Sequence, residues 1–237
     1  MSTRLFGQRG YPPDAFVRTF PAFLLAGAVI CAAACVPGGS CGMTPRPVQL
    51  SGCGRAFVFV DHGRPAARIE IPEGAGEVEQ RAAEILRTSI LKMSGVDLTV
   101  RRAPEPARPG VAAIGFPRKD LPPVLASSVN SLRHDGFAIA TSMGSLYIVG
   151  GGGKGVIYGV IHLLEKYFGC RRFSPAAELF PPRDDLALGC VFEADNPVNQ
   201  VRLVNGEFAL DPDYRDWMRL HDTRDIYGAG YYVHTFQ

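Results

Sequence analysis

Between Leu146 and Phe168 the spacing of the apolar residues changes across a run of glycines, "LYIVGGGGKGVIYGVIHLLEKYF". Leu146, Ile148 and Val149 read as a buried strand. Ile157, Val160, Ile161, Leu164 and Phe168 recur at helical spacing and mark one face of a helix. A single apolar stripe has to be covered by another layer, so this stretch alone calls for a sheet with a helix packed on it. Gly150, Gly152 and Gly155 also satisfy G-x-G-x-x-G between strand and helix, where a dinucleotide pyrophosphate would sit. The neighbouring sequence favours a tight corner over a nucleotide loop. The preceding "DGFAIATSMGSLYIVGG" reads as two strands around the turn "SMGS", which gives the strand before the glycines an antiparallel neighbour. About 20 residues past Gly150, where a ribose-binding acid belongs, stand Cys170, Arg171 and Arg172. A Walker loop would put Ser or Thr after Lys154, and Gly155 is there instead. Gly155 and Gly159 are therefore expected to let the helix backbone approach the sheet.

The same grammar extends upstream. "RAFVFV" and "AARIEI" read as strands around the turn "DHGRP". In "GEVEQRAAEILRTSILKMSG", Val78, Ala82, Ile85, Leu86, Ile90 and Met93 recur at helical spacing, with Glu77 and Glu79 at the start and Gly95 after the end. "VDLTVRR" and "VAAIGF" read as strands on either side of a proline-rich loop. The expected fold class is α+β, a mixed and largely antiparallel sheet with two helices, near 76–94 and 155–168, on one face. After Arg172 a proline-bounded linker is expected. From about Asn199 come a strand ("QVRLV"), a helix ("DPDYRDWMRLHDTRD") and a strand ("GAGYYVHTF"), which read as the start of a (β/α)8 barrel cut short.

A formal charge of +2 with scattered basic residues gives no stripe for nucleic-acid phosphates. The N-terminus reads differently from the rest. Arg4, Arg9 and Arg18 precede "AFLLAGAVICAAA", Ala22–Ala34, which ends at Cys35. A basic flank, a short apolar core and small residues at its end describe a secretory signal peptide. Thirteen residues rise only about 20 Å, short of the roughly 30 Å that a spanning helix must cross. "AAAC" resembles a lipobox, so Cys35 is the candidate lipid-attachment residue, and lipidation and plain secretion both stay open. Residues 1–35 are read as signal peptide, 36–47 as tether, 48–190 as the α+β domain and 191–237 as linker and first barrel strands. Cys41, Cys53, Cys170 and Cys190 show no C-x-x-C, and no histidines pair at metal spacing. Neither metal nor cofactor is expected, and isolated thiols are favoured over disulfides.

"DGFAIATSMGSLYIVGGGGKGVIYGVIHLLEKYFGCRRFSP" resembles the closing hairpin and helix of the N-terminal domain of α-glucuronidases. A related domain precedes the barrel in β-N-acetylhexosaminidases. The similarity covers about residues 48 to 185. It is closest to uncharacterised bacterial envelope proteins that join such a domain to a predicted (β/α)8 barrel, whose "L-G-C-R-[WF]-[FY]-[ST]-P" ending Phe168–Pro175 nearly reproduces. The resemblance implies an N-terminal accessory domain of an exported α-glucuronidase-like glycoside hydrolase. Its partner in the complete protein would be a glycan or uronic-acid-containing oligosaccharide, with no nucleotide, no nucleic acid, and membrane contact only through a lipid anchor. It also implies that the catalytic carboxylates lie on the barrel, so no catalytic residue is assigned here and the isolated chain is expected to be inactive. The alternative is a non-catalytic glycan-binding or scaffolding module of a surface lipoprotein.

Three residues are candidates for substrate contact. With Val201–Val204 as first barrel strand, Asn205 would follow its C-terminal end, and His234 would sit at the corresponding rim of the second strand. Arg202 points into the barrel or outward according to register, and an inward guanidinium would suit a uronic acid carboxylate. Glu70, Glu79, Glu84 and Glu165 are expected to be strand-edge or solvated helix-face charges. Trp217 is expected in the core, His162 to pack beside an apolar face, and His221 to cap a helix end.

Overall fold

The structure is a computed structural model that describes residues 56–204, 206–222 and 226. Eleven strands and four helices follow in order: β1 (Phe57–Asp61), β2 (Arg64–Pro65), β3 (Arg68–Pro72), α1 (Glu77–Ser94), β4 (Val100–Ala103), β5 (Val111–Ile114), α2 (Pro123–Ser128), β6 (Phe137–Ser142), β7 (Ser145–Gly150), α3 (Gly155–Tyr167), β8 (Arg171–Ser174), β9 (Ala177–Leu179), β10 (Leu186–Leu188), β11 (Phe192–Asp195) and α4 (Pro212–Trp217). Among the described residues the main sheet has six strands in the order β11-β6-β7-β5-β3-β4.

Its mixture has a local cause at each end. β6 and β7 form a hairpin because Met143 and Gly144, at φ 50° and 72°, supply the turn whose twist matches paired strands. β11 adds antiparallel to β6. On the other side β3, α1 and β4 make a crossover, so β4 lies parallel to β3, and β5 joins both β3 and β7 in parallel. Outside this sheet β1 pairs antiparallel with β10 and β2, and β8 with β9. The fold is α+β with a mixed sheet. Antiparallel pairing prevails over all the described sheets, while the β4 side of the main sheet is parallel.

α1 and α3 lie together on one face. They bury Leu86, Ile90, Ile157 and Ile161 against Ile69, Ile114, Ile139 and Ile148. The sequence left the other face open, and the structure covers it. Phe116 and Leu121, on either side of the 3-10 turn Arg118–Asp120, and Leu125 of α2 pack on Val111, Ala138, Tyr147 and Val149. With both faces buried, β5 and most of β6 and β7 have no polar side, which is why they read as unbroken apolar runs.

Four further expectations change. β1 does not neighbour β3, because the chain leaves the hairpin after two residues of β2 and starts β3 in the other sheet. The expected linker after Arg172 carries strands: Leu186–Leu188 pairs with β1, and Phe192–Asp195 forms the sheet edge past residue 190. Glu70 is not a solvated edge charge. It is 4% exposed on β3, flanked by β4 and β5, and accepts from Arg68 Nε at 2.7 Å and Ala107 N at 2.9 Å. Val201–Val204 forms no strand, and the helix expected to run to Asp225 stops at Trp217. Arg219 takes φ 56°, a left-handed conformation that an α-helix cannot contain. The described residues therefore do not show the first barrel strand, and the second, "GAGYYVHTF", lies outside them. Cys170 is a free thiol, fully buried and pushed up to about 12 by burial. Among the described residues no helix is long and apolar enough to cross a membrane.

Candidate functional site

The glycine corner between β7 and α3 is shaped by the loop that enters β6. A Cβ at Gly155 would lie 2.1 Å from the Gly136 carbonyl oxygen, and one at Gly159 would lie 2.8 Å from Ile148 Cγ2. These are the two close approaches expected from the sequence. Gly153 is excluded from carrying a side chain by Asp135, whose Oδ1 would stand 2.3 Å from its Cβ. Asp135 itself adopts φ 66°, unusual for a residue with a side chain.

That conformation turns the Asp135 carboxylate inward. The residue is 3% exposed. Oδ1 accepts the backbone N–H of Lys154 at 2.8 Å. Oδ2 accepts Arg202 Nη2 at 2.8 Å and lies 2.7 Å from His221 Nε2. The Arg202 backbone N–H donates to His221 Nδ1 at 3.3 Å, so Nε2 carries the hydrogen that reaches Asp135. Burial pushes the Asp135 carboxyl upward, but the hydrogen bonds from His221, the Lys154 amide and Arg202 outweigh it and hold the group below its ordinary value.

Of the three substrate-contact candidates only Arg202 has a described position, and its guanidinium is committed within the protein. Nε donates to Arg219 O and Nη1 to Asn199 O, each at 2.7 Å. The guanidinium carbon lies 5.4 Å from the centroid of the Tyr158 ring, and the Tyr158 hydroxyl is pushed up to about 12, by burial first and by the nearby Asp135 charge second. His221 is no helix cap. It is buried beyond the end of α4, and its N–H donates to Arg202 O at 2.8 Å. A second set of ions ties α4 to the same corner: Lys154 Nζ donates to Asp216 Oδ1 at 2.9 Å, Arg81 Nε lies 3.5 Å from Asp216 Oδ2, and Arg81 also bonds Asp213. Glu165, expected to be solvated, holds Arg219 Nη2 at 2.7 Å.

A cleft of about 550 Å³ opens beside this network, with His134, Gln200, Val201 and Ile226 in its walls next to Asp135 and His221. Its single carboxylate has both oxygens occupied, and the hydrogen-bonding nitrogens of Arg202 and His221 are spent on Asp135 and on the chain itself. The arrangement is therefore a clasp that ties Asn199, Arg202, Arg219 and His221 to the glycine corner, not an acid–base pair. Asn205, His234 and Cys35 lie outside the described residues.

Sequence reasoning passed over Asp135, although its signal was available as the "DG" before a strand. Its partners are 67 and 86 residues away, so no local pattern announces them. Two smaller clusters are also formed. Glu193 on β11 accepts from His162, Lys166 and Tyr167 of α3. Burial pushes its carboxyl upward, but these bonds prevail and hold it below the usual range. His162 also packs 5.0 Å from the Phe137 ring, as expected. Asp61, His62 and Asp185 bring three exposed ligand-type atoms within 4.8 Å of one another, where the His62 N–H donates to Asp185 Oδ1 across the β1–β2 turn.

No family model matches the chain, and no curated protein does. Several solved structures are similar to part of it, among them the following two. BtGH115A, described as a family GH115 4-O-methyl-α-glucuronidase with specificity for decorated arabinogalactans, matches with 16% identity and a TM-score of 0.43, over 62% of this chain and 19% of that one. The GH20 β-N-acetylhexosaminidase from Streptomyces coelicolor A3(2) matches with 15% identity and a TM-score of 0.41, over 66% of this chain and 26% of that one. The chain thus spans about a fifth to a quarter of the length of these structures.

Proposed function

We propose that this chain is the non-catalytic accessory part of an exported glycan-acting protein, as the resemblance of residues 48–185 to the N-terminal domain of α-glucuronidase-like hydrolases implies. Its role is to hold residues 199–204 and 206–222 in a fixed place. The observation that carries this is the Asp135 clasp. A buried carboxylate, an arginine and a histidine from distant parts of the chain are all spent on immobilising one another. Hydrolysis of a glycoside requires two carboxyl groups across the scissile bond, and the Asp135 cleft offers one, already occupied. The hydrolytic pair then comes from elsewhere in the complete protein, which would act on an oligosaccharide such as a glucuronosylated xylan fragment. The readings of Asn205 and His234 as rim residues, and of Cys35 as a lipid anchor after export, belong to the same proposal.

The purified chain should release no uronic acid from glucuronoxylan oligosaccharides and no sugar from an aryl N-acetylglucosaminide. In hydrogen exchange, amides of 201–221 should be protected in the wild type and exchange much faster in Asp135→Asn. Turnover of either substrate would overturn the accessory reading, and equal exchange in the two proteins would overturn the clasp.

A further inference from the structure

The β1–β2 turn and the segment entering β10 bring together three side chains that no spacing in the sequence links. Asp61 ends β1, His62 opens the turn, and Asp185 stands immediately before β10. One ligand atom of each lies within 4.8 Å of the other two. The backbone holds the two segments in place. β1 pairs with β10, Gly63 N donates to Asp184 O at 3.0 Å, and His62 N donates to Asp185 Oδ1 at 2.6 Å. All three side chains are exposed, so an ion reaches them from solvent without any opening of the fold.

Charge adds to the geometry. Two ionised carboxylates this close repel each other unless a cation stands between them. Elsewhere on the surface an arginine or lysine fills that role, Arg87 for Asp97, Lys92 for Glu178 and Arg81 for Asp213. Among the described residues Asp61 and Asp185 pair with His62 alone, although Arg64 stands opposite Asp61 in the β1–β2 ladder. A neutral imidazole compensates neither charge, but it adds a nitrogen ligand to the two oxygens.

The distances fit one ion in particular. Zinc holds nitrogen and oxygen ligands about 2.0–2.2 Å away in a tetrahedron, which puts neighbouring ligand atoms roughly 3.3–3.6 Å apart. His62 Nδ1 lies 3.3 Å from Asp185 Oδ1 and 4.0 Å from Asp61 Oδ1. A small rotation of the exposed Asp61 side chain closes the longer edge. Calcium and magnesium take oxygen ligands, and more of them, whereas one imidazole with two carboxylates suits zinc.

We propose that Asp61, His62 and Asp185 form a zinc site, with water in the fourth position, that ties the β1–β2 turn to the start of β10. Folding alone brings these ligands together, so the bound ion stabilises the folded chain. This does not rest on the accessory reading, which the hydrolysis assay and hydrogen exchange test separately.

The test uses the full chain without an affinity tag, stripped with EDTA and dialysed. Calorimetric titration with zinc chloride at neutral pH should show saturable binding in the micromolar range, and zinc should raise the melting temperature. Magnesium chloride and calcium chloride at the same concentrations should do neither. His62→Gln and Asp61→Asn, both at exposed positions, should melt like the wild type without zinc. Each should weaken zinc binding about tenfold or more, at least what the loss of an outer-shell partner costs, and should remove most of the rise in melting temperature. Zinc held by other groups, cysteines included, would not respond to either variant. No saturable zinc binding overturns the site, and so does binding that both variants leave unchanged. Saturation by calcium or magnesium with zinc inert overturns the choice of ion.

Discussion

Placing one methyl group at residue 155 tests the central claim about the glycine corner. Gly155 opens α3, where alanine would ordinarily stabilise the helix by about 1 kcal/mol. The structure predicts the opposite sign. The added Cβ would meet Gly136 O at 2.1 Å, with Asp135 C and Gly136 C at 3.2 Å, and all three are backbone atoms that no side-chain rotation can move. Relief requires the entry to β6 to separate from α3 by about an ångström. That disturbs the 2.8 Å bond from Gly151 N to Gly136 O, and with it the Asp135 loop. Overpacking of this kind costs about 1–3 kcal/mol and a lost buried hydrogen bond about 1–3 kcal/mol, so Gly155→Ala should lose about 3 kcal/mol net. At about 2–4 °C per kcal/mol for a domain of this size, the melting temperature should fall by roughly 10 °C. Gly155→Val should fall further. Gly74→Ala, where a Cβ meets nothing within 4 Å, is the control and should stay within about 0.5 kcal/mol. Differential scanning calorimetry of the wild type and the three variants decides it. A Gly155→Ala variant that melts at or above the wild type would remove the packing explanation for this corner.

Asp135→Asn leaves the half-buried Arg202 guanidinium without its counter-charge and should destabilise by about 3 kcal/mol, measured by urea unfolding. In a double-mutant cycle with Arg202→Met, additive losses would contradict direct coupling. Asp135 and Glu193 both have carboxyls held below their ordinary values of 3.8 and 4.5, so the unfolded chain binds more protons than the folded one as pH falls through that range. The stability they contribute is complete above those values and is lost below them, toward the lower folded values. The acid limb of the stability curve should be shallower in Asp135→Asn than in the wild type, and parallel limbs would refute the assignment. On the export proposal, cell fractionation should find the chain outside the cytoplasm without Met1, and Cys35→Ala should abolish any lipid labelling without blocking export. Full-length protein left in the cytoplasm would refute the proposal.

Some of this protein was written locally. α1 and α3, their shared sheet face, the "SMGS" turn and the need for glycine at 155 and 159 all follow from periodicity and turn chemistry, which operate within a few residues. Trp217 in the core and His162 packed beside an apolar face follow in the same way. What the tertiary structure decided are the pairings between distant segments. The strand direction on the β4 side, the cover of α2 over Tyr147, the capture of Leu186–Leu188 by β1 and the burial of Glu70 depend on which surfaces meet after the chain has crossed the sheet. The clasp is the clearest case. Arg202 looked like a rim residue because a short apolar stretch, Val201–Val204, resembles a strand. In the folded chain, Asp135 at φ 66° offers a buried carboxylate whose desolvation has to be offset by donors, and Arg202 and His221 supply them from across the molecule. No spacing in the sequence encodes that demand, because it exists only once the glycine corner has closed over Gly136 and shut water out.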